Sequence, residues 1–256
     1  MSTALAAVVA GLAGAALGSL ANLLADRMPS GASLLERPYR RCPESAGQAV
    51  RWYDELPIIG WLTLGRRCRS SGESLPRRDL VVEALTAALA VAVVLARHQT
   101  APRVLGVVLV GVLMPASLID LDTRKIPNRI TGPAAVLAIV LGAVLKPSGL
   151  SEQLVAGAAA AGFLFIFALI YPRGLGMGDV KLAGVLGLYL GRSVAVALFA
   201  GVISGALLGI GIMARLGVAK GRKTGIPFGP FLALGGVIGI FVGPQIVHWY
   251  VHSVSH

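Results

Sequence analysis

Runs of about twenty apolar residues follow one another along this chain, and that is the length a helix needs to cross a hydrocarbon layer roughly 30 Å thick. Eight such windows are legible, at 3–25, 80–97, 103–121, 131–146, 153–171, 179–191, 193–214 and 228–250. With them comes a composition that is 55% hydrophobic and only 14% charged, far from that of a water-soluble domain. The expected fold class is an all-α polytopic membrane protein of about eight transmembrane helices, with a long cytoplasmic loop between helices one and two. Paired glycines four residues apart (Gly14/Gly18, Gly201/Gly205/Gly209, Gly235/Gly239) fit helices that approach closely in lipid.

A net charge of +11 would suit a nucleic-acid binder, so its distribution decides. With the N-terminus outside, 19 of the 23 Lys and Arg fall in loops on the inner side, and only Arg97, Arg103, Lys146 and Arg192 fall outside. That bias is the positive-inside pattern, and nucleic-acid binding loses its support. The first apolar segment has no basic stretch before it and Arg27 after it, the charge order of an anchor rather than of a cleaved signal. The expected organisation is a first transmembrane helix at 1–25, a cytoplasmic loop at 26–79, a seven-helix core at 80–250 and an outer tail at 251–256.

The loop at 26–79 is too long to be a passive connection. It carries the chain's two cysteines, Cys42 and Cys68, which on the cytoplasmic side are expected to be reduced. Structural zinc takes four ligands, and the loop offers two thiols and no histidine, so no metal is expected.

Most of the twelve acids also lie in this loop. Elsewhere Glu83 stands just inside helix two, Asp120 and Asp122 at the inner end of helix three, Glu152 in an outer loop and Asp179 at the inner end of helix six. Helix limits drawn from apolar length and basic residues alone thus bring Asp120 and Asp179 to the same depth on the same side. A carboxylate within the membrane costs about 2.5–3.5 kcal/mol at the centre and less near the interface. Either aspartate alone could be explained by snorkelling beside Lys125 or Lys181. Together they suggest chemistry: two close carboxylates in a low-dielectric site share one proton, so one is a base and the other an acid. That state suits peptide hydrolysis. The glycines around Asp179, Gly176 and Gly178, would let an extended substrate backbone come close. "GLGMG" has no preceding Rossmann strand, which excludes a dinucleotide loop.

"GMGDVKL" (176–182) resembles the GxGD signature of intramembrane aspartyl proteases, and "SLIDLDTRKIPNRIT" (117–131) resembles the first catalytic motif of bacterial type IV prepilin leader peptidases. In that register Asp120, followed by Ile126, Pro127 and Asn128, is the match and Asp122 is not. Positions two apart point to nearly opposite sides of a helix, so only one can serve. "GSLANLLADRMP" (18–29) is similar to the family's N-terminal motif, the segment leading into helix two resembles its cytoplasmic region up to Glu83, and "GIPFGPFLALGG" (225–236) resembles the segment that opens its last helix.

The resemblance implies a bacterial inner-membrane enzyme with its active site at the cytoplasmic face. It would remove the basic leader of type IV prepilins or type II secretion pseudopilins with Asp120 and Asp179, with Gly176, Gly178, Pro127 and Asn128 framing substrate approach. It also implies N-methylation of the new N-terminus from S-adenosylmethionine, with Asn22, Arg27 and Glu83 at the matching positions. One departure concerns zinc: the family's two CxxC pairs stand here as "CPES" and "CRSS", with Ser45 and Ser71 in place of cysteines. Two other readings follow from the same residues: a peptidase without methylation, and a transporter using the two aspartates as an ion site. Against the transporter stand the location of both acids on one side, away from the midplane, and the lack of an evident inverted repeat.

Overall fold

The computed structural model describes residues 3–29, 77–171, 175–217 and 227–254. All regular structure among them is helical. In order the helices are α1 (Thr3–Arg27), α2 (Arg77–Ala96), α3 (Thr100–Thr123), α4 (Asn128–Leu145) and α5 (Leu150–Ile170). They continue with α6 (Met177–Leu190), α7 (Val194–Leu216), α8 (Gly229–Phe241) and α9 (Gly243–Val254). Short 3-10 turns at Pro147–Gly149 and Gly191–Ser193 join α4 to α5 and α6 to α7. The expected windows fall on these helices to within a few residues, because in lipid every backbone N–H and C=O must be satisfied inside its own segment. The loop read at 26–79, with Cys42 and Cys68, lies almost wholly outside the described residues, as does the end of the 251–256 tail.

The last window is the exception. Read as one helix at 228–250, it is two, α8 and α9, bent by 64°. Pro244 supplies the cause: its nitrogen cannot donate to the carbonyl of Ile240, and its ring crowds that turn. Six described stretches are long and apolar enough to cross a membrane, or seven when the bent pair is taken as one, with Met177–Arg215 included as a single stretch of 39 residues.

The chain divides into two compact units, Met1–Leu95 and Ala96–His256. α2 therefore belongs with α1, whereas the sequence grouped it with the core that follows. In the first unit α1 and α2 run antiparallel. A Cβ on Gly14 would lie 2.7 Å from Ala87 Cα, and one on Gly18 would lie 2.7 Å from Glu83 Cα, so these two glycines are what lets the backbones meet. Further along the same seam Asn22 Nδ2 donates to the Asp79 carbonyl at 3.1 Å.

The second unit is built around α3, α6 and α8. Leu109 and Leu113 from α3, Leu182 and Leu186 from α6 and Leu232 from α8 are the large side chains almost wholly removed from the surface. Gly236 fits between Leu113 and Leu186, which brings α8 against both neighbours. The packing register shows α7 doubling back: Gly239 meets Leu190 and Ser193, Gly235 meets Ala197, Gly201 meets Phe231 and Gly205 meets Phe228. Gly191, at φ +57°, makes the reversal. On the other flank α5 packs on α6 through Gly187, whose Cβ would stand 2.5 Å from the Ala156 carbonyl oxygen. The Tyr189 hydroxyl ties α6 to α4 by donating to the Ala134 carbonyl at 3.1 Å. Outward faces such as Phe163, Phe165, Ile166, Phe167 and Ile170 of α5 are exposed, as lipid-facing surfaces are. The chain is a multi-pass membrane protein.

Candidate active site

Helical spacing carries the core stripe of α3 from Leu109 through Leu113 and Ala116 to Asp120, and that of α6 from Leu186 back through Leu182 to Asp179. Each aspartate is thus the polar terminus of an otherwise apolar face. Asp120 is 4% exposed and Asp179 8%, while Asp122, two residues on from Asp120, points outward. The register that favours Asp120 over Asp122 in the sequence is the one the fold buries.

A backbone donor at a helix start holds each carboxylate. Asp179 is the third residue of α6, and its Oδ2 accepts from the N–H of Gly176, the residue that caps the helix, at 3.1 Å. Asp120 Oδ2 accepts from the N–H of Gly229, the first residue of α8, at 2.8 Å across 109 positions of sequence. The first N–H groups of a helix have no partner within it, and its positive end favours a carboxylate, so both contacts are of the favourable kind. The two acids are close enough for the charge on one to act on the other. Asp179 Oδ1 is buried without a hydrogen-bond partner. A buried carboxylate oxygen in that condition costs free energy unless a proton, a water or a substrate meets it.

Gly229 is the site residue that sequence reasoning missed, although it lies within "GIPFGPFLALGG". A Cβ there would stand 2.7 Å from Asp120 Oδ2, so glycine is required for the carboxylate to reach the N–H.

The other expected residues are placed as follows. Ile126 packs on Gly178, where a Cβ would be 2.9 Å from the Ile126 Cβ. Lys181 Nζ donates to Asn128 Oδ1 at 2.7 Å, and Pro127 caps α4. The Ile-Pro-Asn and GxGD segments therefore dock directly on each other. The space beside Gly178 is filled by Ile126, and a Cβ on Gly176 would lie 3.3 Å from the Asp179 carboxylate itself. Lys181 is likewise engaged with Asn128 rather than with Asp179. Asn22, Arg27 and Glu83 are all buried in the first unit, Glu83 at 1% exposure. Among the described residues no group of three or more His, Cys, Asp or Glu could hold a metal ion.

With Asp122 outside the site, Asp122→Asn is expected to keep near-wild-type turnover, measured by leader cleavage of a prepilin substrate. A large loss would mean that the wrong acid of the pair has been chosen.

Comparison with known proteins gives the family of the chain. Residues 107–210 match the model of the type IV leader peptidase family, and residues 12–97 match that of the bacterial peptidase A24 N-terminal domain. The chain is 30% identical over 232 residues to a prepilin leader peptidase/N-methyltransferase of Aeromonas hydrophila, covering 84% of this chain and 78% of the relative. It is 36% identical over 219 residues to the protein of the same name from Dichelobacter nodosus, covering 82% and 73%. It is 34% identical over 218 residues to that of Myxococcus xanthus, covering 82% and 64%. No solved structure matches the chain. Matched along both halves and across most of its length, the chain belongs to the type IV leader peptidase family.

Proposed function

We propose that this protein removes the basic leader of type IV prepilins or type II secretion pseudopilins by aspartyl hydrolysis with Asp120 and Asp179. The observation that carries the reading is the pairing of two buried carboxylates at one end of the second unit, each Oδ2 fixed by a helix-start N–H and Asp179 Oδ1 left without a partner. The ionised member takes a proton from water as its oxygen attacks the scissile carbonyl carbon. The protonated member gives its proton to the carbonyl oxygen, and collapse of the tetrahedral intermediate breaks the C–N bond as the amine leaves with a proton. In this reading the protein lies in the bacterial inner membrane with its N-terminus outside and the aspartates toward the cytoplasm, supported by the distribution of basic residues. A transporter has no support from the family.

Methylation of the new N-terminus is the second half of the proposal. S-adenosylmethionine, when bound, supplies a methyl group on a sulfonium. Its methionine end carries both an amino group and a carboxylate, and the buried Glu83, Arg27 and Asn22 are the complementary donor set, the residues that would hold it. The test is incubation of the purified protein with a prepilin and S-adenosylmethionine, followed by mass spectrometry of the product. Loss of the leader at the start of the hydrophobic segment supports the peptidase, and an unchanged prepilin overturns it. Glu83→Gln is expected to yield a cleaved product lacking the added methyl group. A methylated product from that variant removes Glu83 from the transferase, and a wild-type product without the methyl group reduces the protein to a peptidase.

A further inference from the structure

At the opposite end of the second unit from the aspartates lies a cavity of about 680 Å³, lined among others by His98, Glu152, Gln153, His248 and His252. Ala101, on its wall, is 19 residues before Asp120 in α3, which is about 28 Å at 1.5 Å per residue. Nothing in leader cleavage uses this end. Yet three of the chain's four histidines line it.

His248 and His252 are four residues apart on α9 and share one face. Their Nε2 atoms, the outer nitrogens of the two rings, are 3.0 Å apart, and the rings meet at an interplanar angle of 54° rather than stacking. Two imidazole nitrogens turned toward each other from the same helix face form a chelating pair, because a metal ion between them replaces the single proton they would otherwise share. Bonds of roughly 2.0–2.1 Å to nitrogens 3.0 Å apart subtend about 90–100° at the metal. That angle fits the tetragonal geometry of Cu2+ or Ni2+ better than tetrahedral zinc.

We propose that His248 and His252 form a two-nitrogen binding site for a divalent transition metal, Cu2+ before Ni2+, at the end of the bundle remote from the aspartates. The remaining coordination positions open to water or to a small anion. The site is separate from the hydrolytic pair.

The test uses the full-length protein in lipid nanodiscs, purified without a histidine tag and titrated with CuCl2. One Cu2+ per chain is expected, with an electron paramagnetic resonance spectrum split by two imidazole nitrogens, and weaker binding of NiCl2. His248→Asn and His252→Asn should each weaken Cu2+ binding by about a hundredfold, the loss of the chelate advantage, and reduce the splitting to one nitrogen. Leader cleavage should be unchanged in both variants, which reports that they are folded. A wild-type spectrum with fewer than two imidazole nitrogens overturns the proposal by itself, as does either variant binding Cu2+ as tightly as the wild type.

Discussion

Asp179→Asn is expected to abolish leader cleavage, with turnover falling by about 10²–10⁴-fold, the range that a positioned acid or base contributes. Asparagine keeps the shape of the side chain, and its amide oxygen can still accept from the Gly176 N–H, so the start of α6 is expected to persist. What is lost is the ability to take up and give back a proton at the unpartnered Oδ1. Asp120→Asn should behave alike, because its amide oxygen retains the acceptor that faces Gly229. The double variant should be no slower than either single one, since two groups that work as one unit are not additive. Single-turnover cleavage of a prepilin in membranes measures all three. Normal cleavage by either single variant would dismiss the dyad.

Gly229→Ala is the second large effect. The new methyl would stand 2.7 Å from Asp120 Oδ2 and 3.1 Å from its Cβ and Cγ. An aspartate side chain is too short to swing aside while keeping a 2.8 Å contact to the same residue's N–H. The carboxylate must shift by several tenths of an ångström, and misplacement on that scale costs up to about a hundredfold in rate. The expected result is a fall in kcat of about 10–100-fold with KM little changed, because the displaced group is the carboxylate that acts in the chemical step. Gly132→Ala is the control, since a Cβ at that position in α4 meets nothing within 4 Å. It should leave kcat alone. Equal losses in the two variants would mean that Gly229 acts only as a helix residue.

The pair of aspartates was legible in the sequence because apolar lengths and basic residues set the helix ends, which brings Asp120 and Asp179 to one depth on one side. The structure adds that each shares a helix face with a core leucine, Leu113 and Leu186. The same period says that only one of Asp120 and Asp122 can serve, and the resemblance around Ile126, Pro127 and Asn128 chose Asp120. The Gly229 contact was not legible, because it joins residues 109 apart and no local pattern says which N–H a carboxylate will find. Gly176 and Gly178 could be seen as close-approach positions, but not what approaches them, and the chain itself supplied Ile126. The Gly243–Pro244 pair was a visible breaker that an apolar window hides, since hydropathy averages across a bend.

The lengths of α6 and α8, 14 and 13 residues, have a bearing on how water arrives. At 1.5 Å per residue they are about 21 and 20 Å long, some 10 Å less than the apolar thickness of a bilayer, whereas α3 with 24 residues reaches about 36 Å. Around a bundle with such short members, the lipid must thin or the aqueous phase must dip inward to meet the helix ends. Both short helices begin at the aspartates, so a shortfall taken up at that end brings water to where hydrolysis consumes it. The length of its helices thereby gives a hydrolase embedded in lipid a route to its second substrate.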